Sequence, residues 1–296
     1  MSYEWLALGA AFLWGISSLI SVTPARHLGS FAYSRWRMAC VSVMLTILAL
    51  LTGGWATVSS DILWPMALSG LIGIFIGDTA LFGCMNRIGP RRSGLLYSCH
   101  AVFSALLGIW LFGETLEGIR LLGAILVFSG VMIAVFFRQS GNAHQWEETK
   151  GNIWVAVGLG LTAALCQSLG GVIAKPVLTQ GVDPIAASAI RMIAAFLAHG
   201  TLIFLQIRVA QPVNPINWRI FGMLVVNGFL AMAVGMTLIM YALKWGEVGM
   251  VALLSSTTPV MILPLIWLFT RVRPAPSAWL GAALAVIGAG LIVTSS

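Results

Sequence analysis

Long apolar segments, separated by short polar connections, run along the whole chain. A helix needs about 20 mostly apolar residues to cross about 30 Å of membrane hydrocarbon. Ten segments reach or approach that length: 4–21, 31–51, 62–85, 93–112, 119–137, 153–174, 184–207, 220–243, 248–269 and 278–293. Their apolar runs are continuous rather than alternating, which favours helices over barrel strands. The pattern therefore predicts an all-α integral membrane protein with ten transmembrane helices.

The ten segments fall into two sets of five around a polar stretch near the midpoint of the chain. We predict a first five-helix repeat at residues 1–140, a polar linker at 141–152 and a second five-helix repeat at 153–296. Three short sequences recur in the second half in the same order as in the first: Arg-Met at 37 and 191, Ile-Trp-Leu-Phe at 109 and 266, and Leu-Gly-Ala at 122 and 280. Such recurrence at a nearly constant offset indicates an internal repeat.

An odd number of crossings in each repeat inserts the second copy upside down relative to the first. Inverted repeats are typical of secondary transporters, which bind substrate near the membrane midplane between the two copies. The repeat offset makes Gly235 the counterpart of Asp78. Pro24 and Pro176 stand at matching places in the first and sixth segments, and each is predicted to end its helix because proline lacks a backbone donor.

Composition narrows the classes of protein that this chain can form. Hydrophobic residues make up 59% of the chain and charged residues 8%, whereas a soluble domain carries about a quarter charged residues. The formal charge of +7 is spread without any long basic run, so no nucleic-acid partner is expected. All four cysteines lie inside apolar segments without CxxC spacing, so we expect no disulfide framework, metal site or cofactor.

Several local sequences resemble the drug/metabolite transporter superfamily, in its EamA-like branch of ten-helix carriers. They are Trp14-Gly15, the arginines Arg37 and Arg191, and Leu111-Phe112-Gly113-Glu114 followed by Leu122-Gly123-Ala124. The second repeat departs from the pattern, since Thr270-Arg271 stands where that branch often has another Gly-Glu pair. The resemblance implies a central cavity, alternating access and transport of amino acids or other small metabolites across the cell membrane. We expect an exporter.

Asp78 is the most informative polar residue inside a predicted helix. A carboxylate in the hydrocarbon region either finds a partner or becomes protonated, and such residues usually mark functional sites. One interpretation makes Asp78 a proton-coupling or cation-binding group, with His100 as a second titratable candidate. The other makes it a structural partner of an arginine or hydroxyl on another helix. The candidate partners of the protein are thus a small-molecule substrate, the lipid bilayer, and protons or another coupling ion.

A second set of polar and aromatic residues is predicted to line a substrate cavity. Ser93, Tyr97, His100 and Ser104 share one helix face, and Tyr97 and His100 are favoured as cavity wall while the two serines are favoured as helix–helix contacts. The complete set of candidate substrate-binding residues is Trp14, Ser18, Tyr97, His100, Gln167, Asn227, Tyr241, Ser256 and Thr257. Gln167 lies deep in its segment and is expected to be hydrogen-bonded.

Three charged residues are assigned a structural role: Arg37, Arg191 and Glu114. For the two arginines the alternatives are a paired role in the fold, extension of the side chain to lipid headgroups, or binding of a substrate carboxylate. The scarcity of charge in the membrane favours neutral, zwitterionic or aromatic substrates over polyanions.

The competing function is an intramembrane enzyme that uses Asp78 or His100. A membrane aspartyl protease needs two facing carboxylates, and a serine hydrolase needs a serine beside a histidine. Asp78 has no second aspartate deep in a segment, and Ser98 and His100 point to different helix faces. A channel would show rings of like residues, and none is visible. The sequence therefore favours a transporter, and saturable, substrate-competed transport would distinguish it from both.

Overall fold

The computed structural model describes residues 3–136, 151–270 and 276–294. Within these ranges every regular element is helical, and the helices are α1 (Tyr3–Leu28), α2 (Ser30–Leu51), α3 (Ser60–Gly70), α4 (Gly77–Ser98), α5 (His100–Phe112), α6 (Gly118–Phe136), α7 (Ile153–Thr179), α8 (Pro184–Phe204), α9 (Trp218–Asn227), α10 (Thr237–Trp245), α11 (Val248–Ser255), α12 (Thr258–Thr270) and α13 (Pro276–Thr294). Residues 141–150 of the predicted linker, together with Phe137 and Arg271, lie outside the described ranges.

The helices have the length and composition of a multi-pass membrane protein. In the described ranges, eight continuous helical stretches are long and apolar enough to cross a membrane: Tyr3–Leu28, Ser30–Leu51, Ser60–Gly89, Arg92–Phe112, Ile153–Thr179, Pro184–Phe204, Trp218–Trp245 and Pro276–Thr294. Two shorter apolar helices, Gly118–Ile133 and Val248–Met261, coincide with the predicted fifth and ninth segments. The protein is therefore an all-helical, multi-pass membrane protein.

Exposed tryptophans lie near the ends of these long helices. Trp5, Trp154 and Trp218 stand within the first turn of their helices, and Trp110 and Trp245 stand in the last turn. Tryptophan is enriched at membrane–water interfaces because its ring is apolar and its N–H is polar. Their positions are those expected of interfacial anchors at both faces of a bilayer.

The prediction that Pro24 and Pro176 end their helices is wrong. Helix α1 continues through Pro24 to Leu28, and α7 continues through Pro176 to Thr179. Proline removes only one backbone hydrogen bond, and membrane helices tolerate that loss where neighbouring helices enclose the backbone. Pro24 is buried, which agrees with such an environment.

Two long helical stretches each change to a wider π-helical winding near the middle. One π segment, Leu71–Ile76, joins α3 to α4, and the other, Gly228–Met236, joins α9 to α10. A π segment shifts backbone carbonyls off the regular i→i+4 ladder and is frequent at functional sites. Nothing in the hydrophobic pattern indicates this change of winding.

The predicted third and fourth segments meet at a sharp bend inside α4. Gly89 has φ 83° and ψ 165° there, a backbone conformation available in practice only to glycine. The predicted fourth segment is interrupted at Cys99, between α4 and α5, and the predicted ninth is interrupted at Ser256 and Thr257, between α11 and α12. The polar run 255–258 thus lies at a helix break.

Helices α6 and α13 pack against each other through glycines. A Cβ placed on Gly288 would lie 2.6 Å from the carbonyl oxygen of Gly123, and one on Gly130 would lie 2.5 Å from that of Gly281. The two backbones are therefore in direct contact, as small residues permit in membrane helices. Gly73 and Gly77 make a similar approach to α7, near Gly170 and Cys166.

Candidate functional site

A cavity of about 140 Å³ lies between the helices, in the half of the bundle away from the two chain termini. Its wall comes from the second half of α1, the start of α2, both arms of α4, the start of α5, the stretch 227–236, and the break between α11 and α12. The lining includes six of the predicted substrate-binding residues, namely Trp14, Ser18, Tyr97, His100, Asn227 and Ser256, together with Arg37 and Asp78. The structure thus brings together residues from both halves of the sequence.

Arg37 and Asp78 form a buried ion pair in this wall. The Nη2 atom of Arg37 lies 2.5 Å from Oδ2 of Asp78, and the two side chains are only 4% and 6% exposed. The guanidinium group also lies over the ring of Phe82, at 4.7 Å from its centroid, and over that of Tyr33, at 5.4 Å. Asp78 therefore has an arginine partner on another helix, and Arg37 does not extend to the headgroups.

Asn227 holds this pair in place. Its Oδ1 atom accepts a hydrogen bond from the Tyr33 hydroxyl at 2.8 Å and lies 3.5 Å from Nη1 of Arg37. Its Nδ2 atom donates to the carbonyl oxygen of Ser17 at 2.7 Å. A fully buried amide with these partners connects α1, α2 and α9, so Asn227 positions Arg37 as well as lining the cavity.

Aromatic groups form two parts of the cavity wall. The indole Nε1 of Trp14 donates to the carbonyl oxygen of Ala231 at 2.8 Å, within the π segment 228–236. The rings of Tyr97 and His100 lie 5.1 Å apart with a 49° tilt. Because its N–H is already bonded to the protein, Trp14 presents an apolar face to the cavity.

Two hydroxyl groups of the wall donate to carbonyl oxygens three residues earlier in the chain. Ser18 donates to the carbonyl of Gly15 at 2.8 Å, and Ser256 donates to that of Leu253 at 2.7 Å. A hydroxyl that donates its hydrogen bond in this way keeps oxygen lone pairs that can accept another hydrogen bond. This part of the wall is therefore suited to groups that carry N–H donors.

The two serines on the face of Tyr97 and His100 have different surroundings. Ser93 lines the cavity. Ser104 instead donates to the hydroxyl of Ser168 at 2.9 Å, and Ser168 donates to the carbonyl oxygen of His100 at 2.9 Å. These two buried hydrogen bonds join α5 to α7 behind the cavity and fix the backbone that carries His100.

Three predicted substrate-binding residues do not reach the cavity lining. Gln167 is half-buried on α7, and in the described part of the chain α7 contributes no lining residue because its buried face packs on α4 and α5. Tyr241 is half-buried on α10, beyond the π segment. Thr257 is buried and donates to the carbonyl of Leu254 at 2.7 Å, while its neighbours Ser256 and Thr258 line the cavity.

Several residues in the wall or directly behind it are not predicted from the sequence. Tyr33 and Phe82 enclose the guanidinium of Arg37, and Met232 and Met236 line the cavity from the π segment. A signal for the first two was present, since each stands four residues from Arg37 or Asp78 and therefore on the same helix face. The methionines carry no such signal in a chain with 13 of them.

The side of the bundle that carries the termini is closed by polar contacts. The carboxylate of Glu114, in the connection between α5 and α6, accepts hydrogen bonds from the backbone amides of Val248 at 2.5 Å and Gly249 at 2.9 Å. Burial raises the pKa of Glu114 above its usual range, and the two amide donors oppose that shift. Lys175 donates to the carbonyls of Leu243 at 2.8 Å and Gly246 at 2.5 Å.

The geometry does not favour the enzyme alternative. The neighbour of Asp78 is the guanidinium of Arg37 rather than a second carboxylate. The hydroxyl of Ser98 donates to the carbonyl of Gly94 at 2.9 Å, so it is not directed at the imidazole of His100. Neither Asp78 nor Ser98 is arranged as a hydrolytic site requires.

Comparison with known proteins adds independent findings. The model of the EamA-like transporter family matches residues 1–136 and 154–294. An uncharacterized transporter of Synechocystis sp. (strain ATCC 27184 / PCC 6803 / Kazusa) is 24% identical over 220 residues, which cover 70% of this chain and 64% of that protein. The match thus spans less than two thirds of that relative's length. A solved crystal structure has a TM-score of 0.77 at 18% identity, over 99% of this chain and 96% of the other, which shows a common fold.

Proposed function

Because the chain belongs to the EamA-like transporter family, we propose that it is a secondary-active transporter of the cell membrane that exports small metabolites by alternating access. In this proposal ten helices form two inverted repeats, at residues 1–140 and 153–296, joined by the linker 141–152. The observation that carries the proposal is the cavity itself. It encloses a buried ion pair between aromatic walls and is closed on the side of the termini.

The glycine contacts between α6 and α13 support the inverted arrangement. By the sequence repeat, Gly123 corresponds to Gly281 and Gly130 to Gly288. Gly123 packs on Gly288, which is the counterpart of Gly130. In the same way, Gly130 packs on Gly281, which is the counterpart of Gly123. A two-fold axis between the helices produces such reciprocal contacts. The match of the family model to two successive segments also supports two repeats.

The contacts of Glu114 support alternating access. Glu114 belongs to the first repeat and binds the start of α11 in the second. On the opposite side of the bundle, the cavity separates the two repeats. We propose that the bonds of Glu114 break when the side of the termini opens and that the cavity half closes in exchange, as inverted-repeat carriers require.

The chemistry of the wall supports a small zwitterionic or aromatic substrate, such as an amino acid. Trp14, Tyr97 and His100 offer ring surfaces, and the serine oxygens can accept hydrogen bonds from an ammonium group. Arg37 and Asp78 neutralise each other, so the cavity does not offer the surplus positive charge that a polyanion needs.

Coupling to protons is proposed for the ion pair of Asp78, with His100 beside it in the same cavity. A proton on Asp78 would abolish the attraction that holds Arg37 and would free its guanidinium. Proton binding and a change in the cavity wall would then be linked. The alternative, that the pair only stabilises the fold, is tested by the variants described in the Discussion.

The proposal is tested by flux measurements with the purified chain in liposomes. Radiolabelled L-phenylalanine, L-tryptophan, L-leucine and L-threonine are offered separately, with and without an imposed pH gradient. We expect saturable uptake of at least one, competition by unlabelled substrate, and exchange across the membrane. Uptake that rises linearly with concentration and meets no competition would indicate a channel or leak and would overturn the proposal.

Removing the aromatic wall should weaken transport. We expect Tyr97→Ala and His100→Ala each to raise the half-saturating substrate concentration about tenfold, since one lost stacking or hydrogen-bonding contact is worth about 1.4 kcal/mol. Flux in proteoliposomes measures the effect.

Gln167→Ala is the matched control for these two variants. It removes a polar side chain from the neighbouring α7, outside the cavity lining, and should leave transport unchanged. Equal losses in all three variants would mean that the cavity is not the transport site.

A further inference from the structure

Arg191 is a buried guanidinium that forms no ion pair with any described residue. Its side chain on α8 is 1% exposed. Its Nη1 atom faces the sulfur atoms of Met240 at 3.1 Å and Met236 at 3.5 Å, and its Nε atom has no hydrogen-bond partner. Thioether sulfur is only a weak acceptor. Among the described residues no carboxylate lies within ion-pair distance of Arg191, so burial of its charge is not offset as it is at Arg37.

The repeat explains why this arginine has no acid beside it. Arg191 corresponds to Arg37, whereas the counterpart of Asp78 is Gly235. A Cβ placed on Gly235 would lie 2.9 Å from Nε1 of Trp14, so position 235 has no room for a side chain. The charge of Asp78 acts on both arginines, and this part of the core therefore carries two guanidinium groups for one carboxylate.

The surroundings of Arg191 leave one direction in which a ligand can approach. On one side are the backbones of the π segment 71–76 and of α7, where a Cβ on Gly73 or Gly170 would lie 3.1 or 3.2 Å from Nη2. On the other side stands Met236, which contacts Arg191 and also lines the cavity. Methionine is unbranched and changes conformation readily. Met236 thus contacts both the guanidinium and the cavity.

We propose that Arg191 is a carboxylate-binding subsite that becomes accessible when the side of the termini opens. This inference rests on the proposed alternating access, in which each repeat takes the conformation of the other. Arg37 lines the cavity in the present conformation, so Arg191 takes the equivalent place in the opposite one. There it has no acidic neighbour at position 235, and an arginine fork suits a planar carboxylate.

The subsite makes the two sides of the carrier unequal. When the cavity is open to the side of the termini, the guanidinium of Arg191 is free and binds the carboxylate of a zwitterionic or monoanionic substrate. When the cavity faces the other side, its arginine is already neutralised by Asp78, and the carboxylate is held less tightly. The asymmetry comes from one position, aspartate at 78 and glycine at 235, and not from any difference between the two arginines.

Formate tests the subsite directly, because it is the smallest carboxylate and needs no other part of the cavity. The full-length protein in detergent is titrated with sodium formate or sodium chloride at equal ionic strength, and its melting temperature is recorded. We expect formate to stabilise the protein saturably beyond chloride. In Arg191→Gln the half-saturating formate concentration should rise about tenfold or more, since charge-assisted hydrogen bonds to the anion are lost.

A second pair of variants keeps the test valid if Arg191→Gln does not fold. Met240→Glu places a carboxylate of similar length against Nη1, where the sulfur now lies at 3.1 Å. It should raise the melting temperature and abolish the response to formate, whereas the neutral control Met240→Gln should keep that response. A formate response that is absent in the unaltered protein, or unchanged in Met240→Glu, overturns the inference.

The outcome is separable from that of the proposed function. Saturable amino-acid transport without a formate response would leave the carrier intact and remove only the role of Arg191. A formate response without any saturable flux would keep the anion site and reject the carrier.

Discussion

Replacing Asp78 with leucine should lower the stability of the protein by about 3–5 kcal/mol, because it leaves the charge of Arg37 buried without its partner. The ion pair is 4% and 6% exposed, so little of the lost interaction can be replaced by water. Asn227 lies 3.5 Å from Nη1 of Arg37 and offers only a neutral oxygen. Chemical unfolding in detergent micelles, followed by tryptophan fluorescence, measures the loss.

The double variant Arg37→Met/Asp78→Leu distinguishes a loss of stability from a loss of transport activity. Two apolar side chains of similar volume commonly replace a buried ion pair without loss of stability, so we expect most of the free energy of unfolding to return. A cycle with both single variants gives the coupling energy of the pair. Additive losses, with no recovery in the double variant, would show that Arg37 and Asp78 do not act on each other.

The double variant and a further variant, Asp78→Asn, decide between the two roles of Asp78. If the pair couples transport to protons, the folded double variant should lose the response of flux to a pH gradient, and so should Asp78→Asn. Transport that stays pH-dependent in Asp78→Asn would restrict the pair to a structural role. Flux in proteoliposomes is compared at equal amounts of reconstituted protein.

The hydrophobic pattern predicted the helical architecture well, because crossing a bilayer imposes a length on each helix. It could not predict the π segment at 228–236 or the continuation of α1 through Pro24. Both depend on whether neighbouring helices satisfy or enclose the backbone, which is a property of packing. The sequence repeat matched Gly123 with Gly281, but it did not indicate that Gly123 touches Gly288 or that Gly281 touches Gly130.

The candidate site was predicted in part, for a similar reason. Polar side chains in the middle of apolar segments predict cavity residues, and Tyr97, His100 and Asn227 lie in the cavity wall. Gln167 has the same signature, but its helix packs behind the cavity, and the helix that a residue belongs to decides which neighbours it meets. The contact between Arg37 and Asp78 joins residues 41 positions apart, and no local spacing contains that information.

Equivalence within the repeat was also misleading for the arginines. Matching positions suggested matching roles for Arg37 and Arg191, yet one has a carboxylate partner and the other faces two thioethers. The difference arises at the counterpart positions 78 and 235, which lie on other helices. In an internal repeat, two matching residues can therefore have different roles when the residues around them do not match.

Adding one methyl group at Gly288 should destabilise the protein far more than adding one at Gly290, two residues along the same helix. A Cβ at position 288 would lie 2.6 Å from the carbonyl oxygen of Gly123 and 2.7 Å from the amide nitrogen of Val127. Both atoms belong to the backbone of α6, so no side chain can move aside. We expect Gly288→Ala to cost about 3 kcal/mol, at the upper end of overpacking effects.

Gly290→Ala is a control on the same helix, because nothing lies within 4 Å of a Cβ placed there. It should leave stability unchanged or raise it by up to about 1 kcal/mol through the better helix propensity of alanine. Gly130→Ala should match Gly288→Ala, since a Cβ at 130 would lie 2.5 Å from the carbonyl oxygen of Gly281. Melting temperatures in detergent measure all three.

Equal losses at 130 and 288 are expected if the repeats are related by a two-fold axis, because the two substitutions then make the same change in equivalent contacts. A small loss at one position and a large loss at the other would contradict that symmetry.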